Sequence, residues 1–191
     1  MKNRIILLLS VILTTMISCR TQSVKEVDIC IYGGTSAGVI AAYTAQQSGK
    51  SVLLIEPGRH LGGMSSGGLG FTDIGNKYVV QGLALDFYRR LGTHYGKLEQ
   101  WIFEPSVAET IFKDYIKRAG IEVWYENRLS DVEKQRNSIT TITLEDSKHP
   151  NHTTNRKVRA KVFIDCSYEG DLMAKSGVSY IVGREANSQY G

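Results

Sequence analysis

Two groups of residues near the start of the chain could do chemistry together: a glycine-rich turn and a single acid. The turn, at residues 33–38, follows the apolar segment 27–32, and Glu56 directly follows a second apolar segment, residues 51–55. Glycine allows a tight turn between a strand and a helix, and the free amides and dipole at the start of that helix attract phosphates. An acid at the end of the second strand accepts hydrogen bonds from ribose hydroxyls. This order predicts a dinucleotide site, and Glu56 would repel the extra phosphate of NADP.

Thr35 departs from the glycine fingerprint of such sites. The fingerprint has a glycine two residues after the first one, so that the backbone can approach the phosphates, and this chain has Thr35 there. Two interpretations are open: Thr35 shifts the pyrophosphate outward, or its hydroxyl contacts the pyrophosphate.

A second glycine-rich segment follows Glu56. Eleven of the nineteen glycines lie between residues 33 and 75, and the glycine doublet at residues 62 and 63 is soon followed by two serines. An NAD site has no need of such extra backbone and hydroxyl donors, whereas FAD does, because its ribityl chain and flavin extend past the pyrophosphate. The segment favours FAD; an NAD-dependent enzyme and a flexible Gly/Ser loop are the alternatives.

Three stretches carry a resemblance to a known family: residues 32–39, 55–69 and 163–171. The chain resembles the FAD-dependent oxidoreductases with a glutathione-reductase-like FAD domain, in particular the group found in exported proteins of Bacteroides-like bacteria, where the threonine at position 35 is usual. The resemblance implies FAD as the cofactor and a small-molecule substrate as the partner. The predicted FAD-binding residues are Gly33, Gly34, Thr35, Ser36, Ala37, Gly38, Glu56, Gly62, Gly63, Met64, Ser65 and Ser66, with Asp165 and Ser167 on the strand end that closes over the cofactor.

The implied activity is oxidoreduction of an organic substrate, with hydride passing between the substrate and the flavin. No catalytic residue can be named from the spacing of residues. In the family that the chain resembles, a substrate domain and a C-terminal segment with further flavin contacts complete the site. We therefore expect the N-terminal part of a longer flavoprotein, incomplete at its C-terminus. Two alternatives are a truncated, non-catalytic fragment that binds ADP or FAD, and an FAD-dependent lyase without net redox change.

The remaining patterns predict the elements that hold these residues. Apolar side chains recur at spacings of three and four in two segments, residues 80–91 and 105–116, which is typical of amphipathic helices. From residue 130 the pattern changes to short strands, which predict a small antiparallel β-meander. We therefore predict an α/β domain at residues 27–191, with a doubly wound, Rossmann-like parallel sheet and this meander. The predicted strands are residues 27–32, 51–55, 121–125, 131–134, 138–144, 157–160, 161–165 and 179–182, with a helical turn at 170–176.

Length and charge narrow the classes of function. The 191 residues suffice for one domain with a real core, and the net charge is only +4. The densest basic patch, residues 156–161, has Lys157, Arg159 and Lys161 at alternate positions without aromatic residues between them, which is typical of the solvated face of a strand. We therefore predict no nucleic-acid partner. The oligomeric state is not determined by the sequence.

The N-terminus predicts export. Two basic residues precede the apolar run 5–17, which is too short to span a bilayer comfortably and ends just before Cys19. We interpret residues 1–18 as a lipoprotein signal, Cys19 as the lipidated residue and residues 19–26 as a tether. Membrane contact would then occur only through the lipid, in the periplasm or at the outer membrane. An ordinary cleaved signal is the alternative.

Cysteines and histidines suggest little further chemistry. Cys30 lies in an apolar strand as a small buried residue, and Cys166 has no second cysteine at the spacing of a redox pair. His149 and His152 flank Pro150 in a polar loop, with no helix to align them, so we predict no metal site. His60 lies in the second glycine-rich segment, where a surface or capping role is expected.

Overall fold

The computed structural model describes residues 24–150 and 156–191. The predicted signal peptide, Cys19 and most of the predicted tether lie outside the described residues, as does His152. The strands are β1 (Lys25–Tyr32), β2 (Val52–Glu56), β3 (Glu122–Tyr125), β4 (Asn127–Gln135), β5 (Ser138–Asp146) and β6 (Arg156–Asp165). The helices are α1 (Ser36–Gln47), α2 (Met64–Gly67), α3 (Gly82–His94), α4 (Pro105–Ala119) and α5 (Asp171–Lys175), and short 3-10 turns lie at Lys77–Val79 and Asn187–Gln189.

All six strands belong to one sheet with the order β3-β2-β1-β6-β5-β4. The strands β3, β2, β1 and β6 are parallel, and β5 and β4 continue the sheet as antiparallel neighbours. This is the Rossmann-like parallel sheet with an antiparallel meander that the sequence predicts.

The two faces of the parallel strands bury different partners. On one face, Ile31 and Leu54 pack with residues of α1, α3 and α4, among them Val39, Leu91 and Phe112. On the other face, Cys30, Tyr32, Leu53 and Ile55 pack against the meander residues Leu129, Ile142, Leu144 and Val158, together with Leu172 of α5. Because consecutive strand residues point to opposite faces, the continuous apolar runs of β1 and β2 are explained by burial on both sides.

Both predicted amphipathic helices are present: α3 covers Gly82–His94, two to three residues later than the predicted segment 80–91, and α4 begins at Pro105 as predicted. Pro105 occupies the first turn of α4, where its missing N–H costs nothing, and Gly120 ends the helix in the left-handed conformation with a φ of 63°. Six of the seven buried residues of α4 lie on the apolar stripe predicted from their spacing, and Ala119 adds one further turn to it.

Three details differ from the sequence-based predictions. First, the predicted strands 157–160 and 161–165 are one strand, β6, because one edge of it pairs with β5 and the other with β1. Second, β1 begins at Lys25, so that Lys25 and Glu26 pair with β6 instead of belonging to a tether. Third, residues 179–182 form no strand, and Val182 is 86% exposed, since no neighbouring strand covers either face of the segment.

In the part of the chain that the structure describes, no helix has the length and hydropathy needed to cross a bilayer.

Candidate functional site

Three loops meet at the carboxyl edge of the parallel sheet. The register pairs Tyr32 with Ile55 on β2 and with Asp165 on β6, so β1, β2 and β6 end side by side. The loops that follow them are residues 33–35, 57–63 and 166–170. Ligands of open α/β sheets bind in the crevice at this edge, where the strand connections diverge to opposite sides.

The first turn is compact because two of its glycines have no room for a side chain. A Cβ atom on Gly38 would lie 1.9 Å from the Gly33 carbonyl oxygen. A Cβ atom on Gly33, whose φ is +101°, would lie 2.6 Å from the backbone nitrogen of Ser167. The glycines therefore let α1 start close against β1 and let the loop after β6 pack over the turn.

Thr35 uses its hydroxyl inside the protein. The hydroxyl donates to the Cys166 carbonyl at 2.9 Å and accepts the Gly38 N–H at 3.2 Å, and the residue is 7% exposed. Thr35 is thus the N-cap of α1 and also ties the turn to the loop after β6. Of the two interpretations of Thr35, contact between its hydroxyl and a pyrophosphate is disfavoured, because both of these hydrogen bonds are internal.

The start of α1 presents free amides. The Val39 N–H donates to the Thr35 carbonyl and the Gly38 N–H to the Thr35 hydroxyl, while the amides of Ser36 and Ala37 have no acceptor among the described residues. Ser36 is half-buried and Ala37 is exposed. Two donors at a helix N-terminus, backed by the helix dipole, are a suitable arrangement for an anionic group such as a phosphate.

Glu56 lies at the end of β2 beside the turn. Its carboxylate accepts the Gly34 N–H at 2.7 Å and the Gly58 N–H at 2.6 Å, one on each oxygen. A Cβ atom on Gly34 would lie 2.7 Å from the same carboxylate. Each carboxylate oxygen can accept a further hydrogen bond, so Glu56 can hold the turn and still accept from a ligand hydroxyl.

The glycine doublet is fixed against the first turn. The Gly62 N–H donates to the Gly34 carbonyl at 2.8 Å, and Gly62 forms a parallel bridge with Thr35. The Ser66 hydroxyl donates a hydrogen bond to the Leu61 carbonyl at 2.6 Å, so this hydroxyl stabilises the loop. Ser65 lies beside the first turn of α1 at the wall of a cavity.

Tyr168 is a site residue that the sequence-based prediction did not include. Its hydroxyl accepts the Met64 N–H at 2.7 Å, and a Cβ atom on Gly63 would lie 2.1 Å from that hydroxyl oxygen. The side chain thus bridges the loop after β6 and the glycine doublet. The only hint in the sequence is that Tyr168 follows Ser167 within the third family-like stretch.

Asp165 and Ser167 hold the loop after β6. One oxygen of the Asp165 carboxylate accepts the Ser167 N–H at 2.9 Å and the Ser167 hydroxyl at 2.6 Å, and the other accepts the Met173 N–H at 2.9 Å. Both residues lie at the carboxyl edge, as predicted. The hydrogen bonds of their side chains shape this loop, and their contact with a cofactor stays a prediction.

A cavity of about 340 Å³ lies beside the first turn of α1. It is mostly apolar, and its walls come from α1, α2, α3 and α4. The lining residues are Ser36, Ala37, Ile40, Ser65, Leu83, Ala84, Phe87, Tyr88 and Phe112. The cavity therefore joins the two predicted donor segments, at Ser36 and at Ser65.

The cysteines and histidines of the described residues form no second site. Burial raises the pKa of Cys30 to about 12, and burial together with nearby Asp165 raises the pKa of Cys166, so neither thiol is activated. His60 contacts Glu109 at 3.0 Å and is largely exposed. Within residues 24–150 and 156–191, no group of three or more His, Cys, Asp or Glu side chains could hold a metal ion.

The fold and this edge of the sheet define a dinucleotide-binding α/β protein. A sequence model of the FAD dependent oxidoreductase family matches residues 28–191, and the chain belongs to that family. FAD is therefore its cofactor.

Curated relatives and solved structures agree with this fold. The thiamine thiazole synthases of Pyrococcus horikoshii and Pyrococcus abyssi are 25% and 27% identical to the chain over 156 and 157 residues, which is 78% of this chain and 60% of each relative. A flavoprotein/dehydrogenase from Cytophaga hutchinsonii superposes with a TM-score of 0.60 at 18% identity, covering 84% of this chain and 44% of that one. Thermovibrio ammonificans THI4 superposes with a TM-score of 0.58 at 22% identity, covering 92% of this chain and 71% of that one.

The residues present suit FAD. The exposed amides at the start of α1 match the pyrophosphate, and the remaining acceptor sites of Glu56 match a ribose diol.

Proposed function

We propose that the chain is the N-terminal cofactor-binding part of an FAD-dependent oxidoreductase that acts on a small organic substrate. The observation that carries this proposal is the juxtaposition of the Ser36 and Ala37 amides, which have no acceptor among the described residues, with the Glu56 carboxylate. The turn between them is kept compact by Gly33 and Gly38. The chain spans about 60% of the length of the curated relatives that it matches, so the substrate and the activity of the whole protein belong to the proposal.

The chain's own residues would bind and orient the cofactor. The amides of Ser36 and Ala37 would donate to the pyrophosphate, and Glu56 would accept from the ribose hydroxyls of the adenosine half. The loop at residues 62–66 would line the ribityl chain, since the amides of Gly63 and Ser65 have no acceptor among the described residues. When bound, FAD supplies hydride transfer to or from the organic substrate; the protein's part is to hold the flavin in place and to shield it from water.

Subgroup and location also remain proposals. The three stretches of family-like sequence support a glutathione-reductase-like FAD domain of the exported Bacteroides type. The basic residues and apolar run before Cys19 support a lipoprotein signal and a lipid anchor in the periplasm or at the outer membrane. Labelling expressing cells with a radioactive fatty acid tests this: the chain should carry label, and Cys19→Ser should abolish it. Label that persists in Cys19→Ser would refute lipidation at this residue.

A second candidate function is FAD-dependent chemistry without net redox change. Its support is the match to two thiamine thiazole synthases, which are named as synthases and not as oxidoreductases. Anaerobic mixing of the FAD-loaded, complete protein with candidate substrates separates the two functions. Bleaching of the visible flavin absorption by a substrate would support oxidoreduction, whereas turnover of that substrate without bleaching would support the second candidate.

Substitution of Glu56 tests whether this residue binds the ribose of the cofactor. Glu56→Ala should weaken FAD binding by about 1.5–3 kcal/mol, because a hydrogen bond to a charged acceptor is lost. Glu56→Gln removes the charge and retains one acceptor oxygen, but its amide group would face the N–H of Gly34 or Gly58, so its FAD affinity should lie between those of the wild type and Glu56→Ala. Equal FAD dissociation constants for the wild type and Glu56→Ala, measured by fluorescence titration, would show that Glu56 does not hold the ribose.

A further inference from the structure

Tyr168 makes an unusual contact for an exposed side chain. The residue is 55% exposed, yet its hydroxyl accepts the Met64 N–H at 2.7 Å and its ring lies directly on Gly63. At Gly63, where φ is +56°, a Cβ atom would also lie 2.9 Å from the Cζ atom of Tyr168. The contact therefore depends on glycine at position 63 for two reasons, backbone conformation and space.

The two segments joined by Tyr168 are otherwise held separately. The loop after β6 is fixed by the Asp165 carboxylate through Ser167 and Met173. The glycine doublet is fixed at Gly62, through its hydrogen bond to the Gly34 carbonyl. Among the described residues, the hydrogen bonds of residues 63–69 stay within residues 61–69, apart from the bond from Met64 to Tyr168.

The Gly63 carbonyl accepts from the Ser66 N–H and hydroxyl, both at 3.2 Å, within the same loop. Among the described residues, Tyr168 is therefore the one residue outside the loop that hydrogen-bonds the Gly63–Met64 peptide. That peptide lies between the free amides of Gly63 and Ser65, which the proposed function assigns to the flavin side of the cofactor. Within the part of the chain that the structure describes, neither the start of α1 nor Glu56, which it assigns to the ADP side, makes a hydrogen bond to Tyr168.

We infer that Tyr168 is a positioning residue for the flavin half of the cofactor, and that it acts by holding the Gly63–Met64 peptide through its hydroxyl. This inference rests on the proposed function. Its consequence is selective: loss of the hydroxyl changes how the loop meets the ribityl chain and flavin, and leaves the binding of ADP unchanged.

The test compares FAD with ADP as ligands of the purified full chain. Tyr168→Phe keeps the ring and removes the hydroxyl. We expect its FAD dissociation constant to rise about tenfold, the effect of one lost hydrogen bond, with the ADP dissociation constant unchanged. Hydrogen exchange at the Met64 amide should accelerate, because this amide loses its acceptor. Tyr190→Phe is the control, since Tyr190 is also exposed and its hydroxyl donates to Glu185 at 2.6 Å in the C-terminal segment; it should match the wild type in all three measurements.

Two results would overturn the inference. If the Met64 amide exchanges its hydrogen faster in Tyr168→Phe, but this variant binds FAD as the wild type does, the hydroxyl only stabilises the loop. If FAD and ADP weaken equally, the substitution disturbs the whole site and not its flavin half. Failure of the wild type and Tyr190→Phe to bind FAD would instead overturn the proposed function, and the inference with it.

Discussion

At the scale of single residues, the space around Gly38 decides whether the first turn can form. A Cβ atom there would lie 1.9 Å from the Gly33 carbonyl oxygen, a distance that requires the backbone to move. We predict that Gly38→Ala destabilises the chain by about 1–3 kcal/mol, as overpacking of a tight contact does, and abolishes retention of FAD. Urea unfolding and a binding titration measure the two effects.

Gly67 is the matched control for this substitution. It is also a helical glycine without a positive φ, but it has open space where a Cβ atom would be. Gly67→Ala should leave the free energy of unfolding within about 0.5 kcal/mol of the wild type. Equal effects of the two substitutions would contradict the close-packed turn.

The hydroxyl of Thr35 gives a second residue-scale prediction. Thr35→Val keeps the shape of the side chain but leaves the Cys166 carbonyl and the Gly38 N–H without their partner. We expect a loss of about 1–3 kcal/mol in unfolding free energy, because buried groups become unsatisfied. Thr35→Ser retains the hydroxyl and should retain most of the stability. A Thr35→Val protein as stable as Thr35→Ser would show that these two bonds contribute nothing.

At the scale of elements, β6 has two faces with different contributions to stability. Val158 is fully buried against the meander, whereas Arg159 points to solvent and pairs with Glu26 at 2.6 Å. We predict that Val158→Ala costs about 1–3 kcal/mol, through lost burial and a cavity, and that Arg159→Ala costs less than about 1 kcal/mol. Thermal and urea unfolding of these two neighbours measure the contrast. A larger loss in Arg159→Ala would contradict the assignment of faces.

The alternation of basic residues in β6 shows what the sequence could predict about elements. The periods of two and of three to four identify the strands and helices from local side chains alone. They correctly place Lys157, Arg159 and Lys161 on the solvent side of a strand. The continuity of β6 could not be predicted, because it depends on pairing with β1, more than a hundred residues away in the sequence. The same reason explains the strand that was wrongly predicted at residues 179–182.

The features of the site also divide into those that a local sequence pattern predicts and those that depend on contacts between distant residues. The glycine turn, Glu56 and the glycine doublet follow a local motif, and the structure brings them together at one edge of the sheet. The contact between Tyr168 and Met64 joins residues 104 positions apart. No local sequence pattern predicts this contact, and none predicts that the Thr35 hydroxyl forms its hydrogen bonds inside the protein.

At the scale of the whole molecule, stability should fall at high pH. Tyr32 lies between the sheet and the meander, and burial raises its pKa from 10.0 to about 12. The neutral phenol is the form that the fold favours, so its contribution is complete below pH 10 and is lost as the pH rises through about 12. At pH 11 we expect a loss of about 1.4 kcal/mol from this group.

Tyr32→Phe isolates this effect. The substitution removes the acceptor of the Leu129 N–H at every pH, which gives a constant loss, and it also removes the titrating group. The difference in unfolding free energy between the wild type and Tyr32→Phe should therefore shrink by about 1.4 kcal/mol from pH 8 to pH 11. A difference that stays constant over this range would contradict the raised pKa.

The most direct test of the account is the visible absorption spectrum of the purified chain after mixing with FAD and removing the unbound cofactor. The free amides of Ser36 and Ala37, Glu56 and the glycine doublet predict that the protein keeps the flavin spectrum. Circular dichroism on the same sample reports whether the chain is folded. A folded protein that retains no flavin would contradict the claim that these residues hold FAD in this chain.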